Sequence, residues 1–194
     1  MPEYRELAGM IGGGIFFAAF VPYFIDILRG RTKPQRATWI IWTILGVLIL
    51  LSYKSVGAQN TIWVAIAGAL CPAVILVLSI WRGVGGSSKL DIAGLVGAAI
   101  GITAWWLTTS PFVGLVMFML TDQVASVPTM VKLWHEPESE SLPAWLLWLL
   151  SSIFQLFALE GWDLQVSIYP LSYLVGQIVI VALILRKYRR RTAP

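Results

Sequence analysis

The chain reads as an all-α integral membrane protein of seven transmembrane helices, arranged as two parallel three-helix repeats joined by a linker helix. Three observations predict this: too little charge for a water-soluble domain, apolar runs of membrane length, and a repeat at fixed spacing. Of the 194 residues, 58% are hydrophobic and 12% charged, about half the charged share of a soluble domain. A bilayer's hydrocarbon core takes about 20 apolar residues per helix. Seven such spans leave only short connections and tails in this chain.

The apolar segments run from Leu7 to Leu28, Thr38 to Tyr53, Thr61 to Trp81, Ile92 to Thr109, Pro111 to Trp134, Pro143 to Leu159 and Val166 to Leu185. The first follows Glu3, Arg5 and Glu6 and has no small-residue cleavage signal after it, so it reads as a span rather than a signal peptide. Without membrane burial the fourth would leave IAGLVGAAIGITAWWLTT in water, and its Gly94, Gly97 and Gly101 offer the small face that membrane helices use for close packing. Trp63, Trp81, Trp105, Trp106 and Trp134 lie near segment ends, where indole rings favour the headgroup boundary.

Orientation follows from the cations that flank the spans. One side carries Arg5 and Lys54; the other carries Arg29, Arg31, Lys33, Arg36, Arg82, Lys89, Lys132, Arg186, Lys187, Arg189, Arg190 and Arg191. Twelve against two puts the N-terminus outside and the C-terminus in the cytoplasm. The basic tail then reads as a topology signal beside anionic lipid rather than a nucleic-acid site. Short loops fit a prokaryotic plasma membrane.

A shift of 106 residues superposes Val21-Pro22 on Val127-Pro128, Trp39 on Trp145 and Trp42 on Trp148 without a gap. The chain therefore divides into a first triple-helix repeat (1–85), a linker helix (86–110) and a second repeat with the basic tail (111–194). The linker adds an odd crossing, so both repeats enter the membrane from the same side. Each unit has a Pro before the cytoplasmic end of its first helix, a short polar loop, and Trp-x-x-Trp opening its second helix. The two units read VPYFIDILRGRTKPQRATWIIW and VPTMVKLWHEPESESLPAWLLW.

This form resembles the PQ-loop superfamily, and the three-plus-one-plus-three layout is similar to its SWEET branch, over nearly the whole chain. The family's Pro-Gln position falls on Pro22-Tyr23 and Pro128-Thr129, while Pro34-Gln35 lies in the loop. The sole Asn, Asn60, is also in a loop. The resemblance implies movement of small solutes such as sugars or amino acids by alternating access, although some members act as cargo receptors.

The residues themselves suggest where a solute would bind. Asp122 and Gln123 lie near the centre of the fifth span, close to the bilayer midplane, where a carboxyl is costly unless it faces a cavity or the bundle interior. Asp122, Ser126 and Thr129 share one helical face. Their repeat equivalents are Phe16, Phe20 and Tyr23, which would set an aromatic wall against an acidic one. Gln177 in the seventh span, with Ser151, Ser152 and Gln155 in the sixth, adds polar groups in the second unit. Gly46, Cys71 and Pro72 are the first unit's residues at similar depth. The plainer reading of Asp122 is a protonated side chain hydrogen-bonded within the bundle, and lone Gln or Ser residues commonly join helices.

Hinge and gate candidates cluster at the cytoplasmic end. Pro22 and Pro128 lack the N–H that would bond four residues back, which loosens their helices. Trp39, Trp42, Trp145 and Trp148 read as interfacial anchors or as a gate, with one of each pair facing the bundle and the other lipid. Asp26 and Lys132 occupy equivalent positions and would pair across the axis in a gate salt bridge.

Enzyme readings find little. Cys71 and His135 are the only Cys and His, which leaves no disulfide framework and no Cys/His metal cluster. His135 is too far in depth from Asp122 for a triad. GVGGSSK at 83–89 lacks phosphate-loop order and reads as a flexible connection. No Lys lies in the interior of a span to hold a retinal Schiff base, Lys132 being at the very end of its segment. The sequence thus points to a cofactor-free transporter of a small polar solute, sugar or amino-acid-like, linked to protons or cations through Asp122. The competing class is a non-transporting receptor or scaffold of the same fold, which predicts a cavity filled by side chains. Neither reading fixes the oligomeric state.

Overall fold

The computed structural model describes residues 3–55, 62–107, 111–159 and 161–192. Among them every regular element is helical: α1 (Glu3–Ala18), α2 (Phe20–Leu28), α3 (Arg36–Ser55), α4 (Ile62–Arg82), α5 (Lys89–Leu107), α6 (Pro111–His135), α7 (Leu142–Phe157) and α8 (Leu164–Thr192). Helices α1 and α2 are two halves of the stretch Tyr4–Leu28. The step at Ala19 has a local cause, because Pro22 has no N–H to offer the Ala18 carbonyl. Pro128 does not have this effect, and α6 runs through it unbroken. Asn60, Thr61 and residues 108–110 lie outside the described residues, as do the side chains of Lys54, Trp63, Trp105 and the tail cations beyond Arg186.

Two stretches, Tyr4–Leu28 and Ser167–Arg186, are long and apolar enough to cross a membrane; Arg36–Leu48, Gly68–Arg82 and Leu142–Phe157 are shorter apolar helices. Large apolar side chains also cover the outside. Val21, Leu70, Ile80, Ile100 and Trp106 are each more than half exposed, which is unusual for a surface facing water.

The packing pairs helices that are far apart in the sequence. Helix α1 lies along α7, and α3 along α6. Both pairs are antiparallel. In the first, Ser151 Oγ donates to the Gly12 carbonyl at 2.8 Å and Trp148 Nε1 to the Phe16 carbonyl at 3.2 Å. In the second, Thr38 Oγ1 donates to the Ala125 carbonyl at 2.6 Å. Helix α4 packs on α3 and touches α2, while α8 packs on α7 and α6. These contacts close a ring in the order α1/α2, α4, α3, α6, α8, α7, with α5 outside against α6 and α3. The α5–α6 contact uses the expected glycines: a Cβ at Gly101 would collide with Thr121 Oγ1, and one at Gly97 would meet Val124 Cγ1 at 3.5 Å.

The connections 29–35, 83–88 and 136–141 gather at one end of the ring. Gln35 pairs with Val84 in a single parallel bridge and donates to Asp91 Oδ1 at 2.8 Å. Asp91 also accepts the Gly86 and Ser88 N–H groups, while Ser88 Oγ caps the Asp91 N–H, a reciprocal arrangement at the start of α5. The glycine-rich connection expected to be flexible is therefore anchored. Gly85 and Gly86 have φ of 71° and 101°, and a Cβ at Gly85 would strike the Gln35 amide. A positive φ of this kind favours glycine.

Candidate functional site

A cavity of about 420 Å³ lies inside the ring, within the size range of small-molecule sites. Its wall is drawn from α1, α2, α3, α4, α6, α7 and α8. The helices bring small residues to it: Gly9 and Gly13 from α1, Gly46 from α3 and Gly68 from α4. Gly13 and Gly68 would meet nothing within 4 Å if they carried a Cβ, so the absence of side chains there leaves space.

Four tryptophans bound the cavity toward the basic end. Trp39 and Trp42 have ring centroids 5.0 Å apart, and so have Trp145 and Trp148. Between the two pairs, Trp39 to Trp148 is 6.4 Å and Trp42 to Trp145 is 6.3 Å. Residues 106 apart in sequence thus occupy equivalent corners of one aromatic ring. The expectation that one Trp of each pair would face lipid is corrected: all four line the cavity. Residues three apart on a helix lie on nearly the same face, so both members of each pair follow it inward.

Tyr23 lies beyond this ring and is fully buried. It packs at 5.2 Å from Trp39 and 5.4 Å from Trp148, and its hydroxyl accepts the Trp39 N–H at 3.3 Å. Next to it the Glu140 carboxylate takes the Lys132 ammonium at 2.5 Å and the Trp145 N–H at 3.0 Å. The predicted Asp26–Lys132 pair is not made. Asp26 instead accepts Ser141 Oγ at 2.6 Å. The loop carrying Glu140 folds between the two helices and supplies a nearer partner to each.

Asp122 lines the cavity on α6, and Phe16, Phe20, Gln155 and Gln177 line it as well, so an acidic group and an aromatic wall do meet there. The Asp122 carboxylate forms no hydrogen bond or ion pair within the described residues. The Trp42 indole N–H and the Tyr169 and Tyr173 hydroxyls lie within electrostatic reach of it, and the Trp42 N–H is buried without a hydrogen-bond partner. Gln177 Oε1 is buried without a partner.

Other expected site residues have structural duties and do not line the cavity. Gln123 donates to the Ser172 carbonyl at 3.4 Å and joins α6 to α8. Ser126 bonds the Asp122 backbone carbonyl, Ser152 the Leu149 carbonyl, and Thr129 the hydroxyl of Thr38. The face of Asp122, Ser126 and Thr129 turns away from the cavity below its first member, because α3 packs there. Tyr23 is likewise behind the tryptophan ring rather than in the wall. Tyr169 and Tyr173 of α8, with Phe17 and Phe118, are lining residues that sequence reasoning missed. A signal existed: Tyr169, Tyr173 and Gln177 are spaced at four residues along one helical face.

Comparison with models of protein families, with curated proteins and with solved structures finds no match to this chain.

Proposed function

We propose that the chain is a multi-pass membrane transporter of the PQ-loop type, with two parallel three-helix repeats that move a small polar solute by alternating access. The N-terminus is outside, the C-terminus is in the cytoplasm, and the solute crosses through the cavity between the units. One observation carries the reading: the cavity is open space with an unpartnered carboxylate on its wall, where a scaffold of the same fold would have filled it with side chains. The apolar exterior supports a lipid surround. The matched tryptophan distances across the units support the repeat.

In this reading the structure corresponds to a form closed toward the cytoplasm by the tryptophan ring, Tyr23 and the Lys132–Glu140 pair. Transport requires those contacts to part while the other end closes, with Pro22 and Pro128 as the points where the first helix of each unit bends. The test is uptake by proteoliposomes containing the purified chain, screened with labelled sugars, amino acids and amines. Faster equilibration of one class than in protein-free vesicles is the expected result. Equal rates for every class count against transport and move the receptor reading ahead.

A further inference from the structure

We infer that the solute is a small organic cation, an ammonium group on an apolar or flat body, held between the Asp122 carboxylate and the ring faces of the cavity. The inference rests on the transport reading and narrows its substrate class.

The first argument is the missing counter-charge. Asp122 is 8% exposed, and a buried carboxylate needs a partner or a proton. The two ion pairs among the described residues, Lys33–Glu136 and Lys132–Glu140, both lie at the basic end. Lys132, on the same helix, is ten residues from Asp122, about 15 Å along the axis. Among the described residues no Arg, Lys or His lines the cavity. A bound cation would complete the site, whereas a solute carboxylate would meet only the like charge of Asp122.

The second argument is the remaining wall. Phe16, Phe20, Trp148, Tyr169 and Tyr173 present aromatic surface, whose faces attract an ammonium. Besides Asp122, the wall offers the Tyr169 and Tyr173 hydroxyls and the Trp42 N–H, buried and without a hydrogen-bond partner; the other polar groups, Gln177 apart, are engaged. Trp39, Trp145 and Trp148 give their N–H groups to Tyr23, Glu140 and the Phe16 carbonyl, and Gln155 donates to Ser151 at 3.4 Å. Gln177 Oε1 remains as a buried, unpartnered acceptor suited to an N–H or O–H of the solute. Among these groups only the Asp122 carboxylate carries a formal charge, and a cation is the solute that satisfies it most fully. The volume of about 420 Å³ equals about 14 waters, room for an ammonium with a ring attached.

The test compares matched probes on the detergent-purified wild-type chain by calorimetric titration: choline; 3,3-dimethylbutan-1-ol, its neutral isostere; glycine betaine, which adds a carboxylate; and benzyltrimethylammonium as a larger cation. At least one cation should bind about tenfold or more tighter than both the alcohol and betaine, a difference of about 1.4 kcal/mol, and Asp122→Asn should remove the preference. Binding of neither cation overturns the inference, as does equal binding of the alcohol. Because the comparison is made on the wild type, it holds even where the variant does not fold. Uptake by proteoliposomes separates the two readings. Selective cation binding without uptake leaves the cation site standing and removes transport; uptake of sugars or amino acids without cation binding does the reverse.

Discussion

Lys132 Nζ lies 2.5 Å from Glu140 Oε1, and both side chains are nearly inaccessible, at 8% and 0% exposure. The other Glu140 oxygen accepts the Trp145 N–H, and the ammonium also bonds the Lys33 carbonyl. One carboxylate thus joins α6, the start of α7 and the first connection, directly beneath the tryptophan ring. In the transport reading proposed above, this is the contact set that separates when the basic end opens.

The pair should behave as a coupled unit. Removing one partner strands a buried charge, so Lys132→Met or Glu140→Gln alone should each lower stability by about 3–5 kcal/mol. The double variant Lys132→Met/Glu140→Gln should recover most of that loss. Denaturant unfolding of all four proteins in one detergent measures the coupling. Additive losses would show that the two side chains do not depend on each other.

Arg36 offers a second test at the same end. Its guanidinium bonds the carbonyls of Ser79, Ile80, Gly83 and Gly85 at 2.8 to 3.2 Å, which closes the C-terminus of α4 with a positive charge. A lysine keeps the charge but not the fork of donors. Arg36→Lys should therefore cost about 2 kcal/mol, because hydrogen bonds to charged groups contribute about 1.5–3 kcal/mol each and only part of the set is replaced. A melting temperature equal to wild type would remove the capping role.

How far the sequence could be read depends on whether a feature is local or assembled. The helices were legible because apolar runs are a property of neighbouring residues. Asp122 was legible as a cavity residue because a carboxyl at the centre of an apolar run has few places to point. Glu140 was not: HEPESE reads as a solvated acidic loop, and only the tertiary fold shows that Glu140 is buried against Lys132 and Trp145. Gln123, Ser126 and Thr129 look like ligands by depth and residue type. Their partners, Ser172, the Asp122 carbonyl and Thr38, are decided by which helix packs alongside, which periodicity does not encode.

Glycine positions distinguish packing from open space. A Cβ on Gly46 would lie 3.0 Å from Ala69 Cα and 3.2 Å from the Gly68 carbonyl carbon, backbone atoms that cannot rotate away. Gly46→Ala should therefore destabilise the α3–α4 contact by about 1–3 kcal/mol, the usual cost of overpacking. Gly14, two residues after the packed Gly12, has nothing within 4 Å, and Gly14→Ala should be neutral or stabilise by up to about 1 kcal/mol. Thermal unfolding of the two variants beside wild type decides the contrast, and equal effects would mean that the close approach of α3 to α4 is not made.

Asp122 and Gly13 separate a site kept for binding from one kept for packing. A carboxyl retained for architecture would be hydrogen-bonded, and that of Asp122 is not. Without solute, Asp122→Asn should leave unfolding stability unchanged or raised, since an amide is cheaper to bury than a charge. Gly13 lines the cavity and has free space where a Cβ would go. Gly13→Leu should gain up to about 1 kcal/mol of helix propensity while its side chain occupies solute volume. Both variants should then combine wild-type or greater stability with reduced solute uptake. A loss of stability in Asp122→Asn by several kcal/mol would instead assign that carboxyl to the fold, and unimpaired uptake by Gly13→Leu would place the solute path outside this cavity.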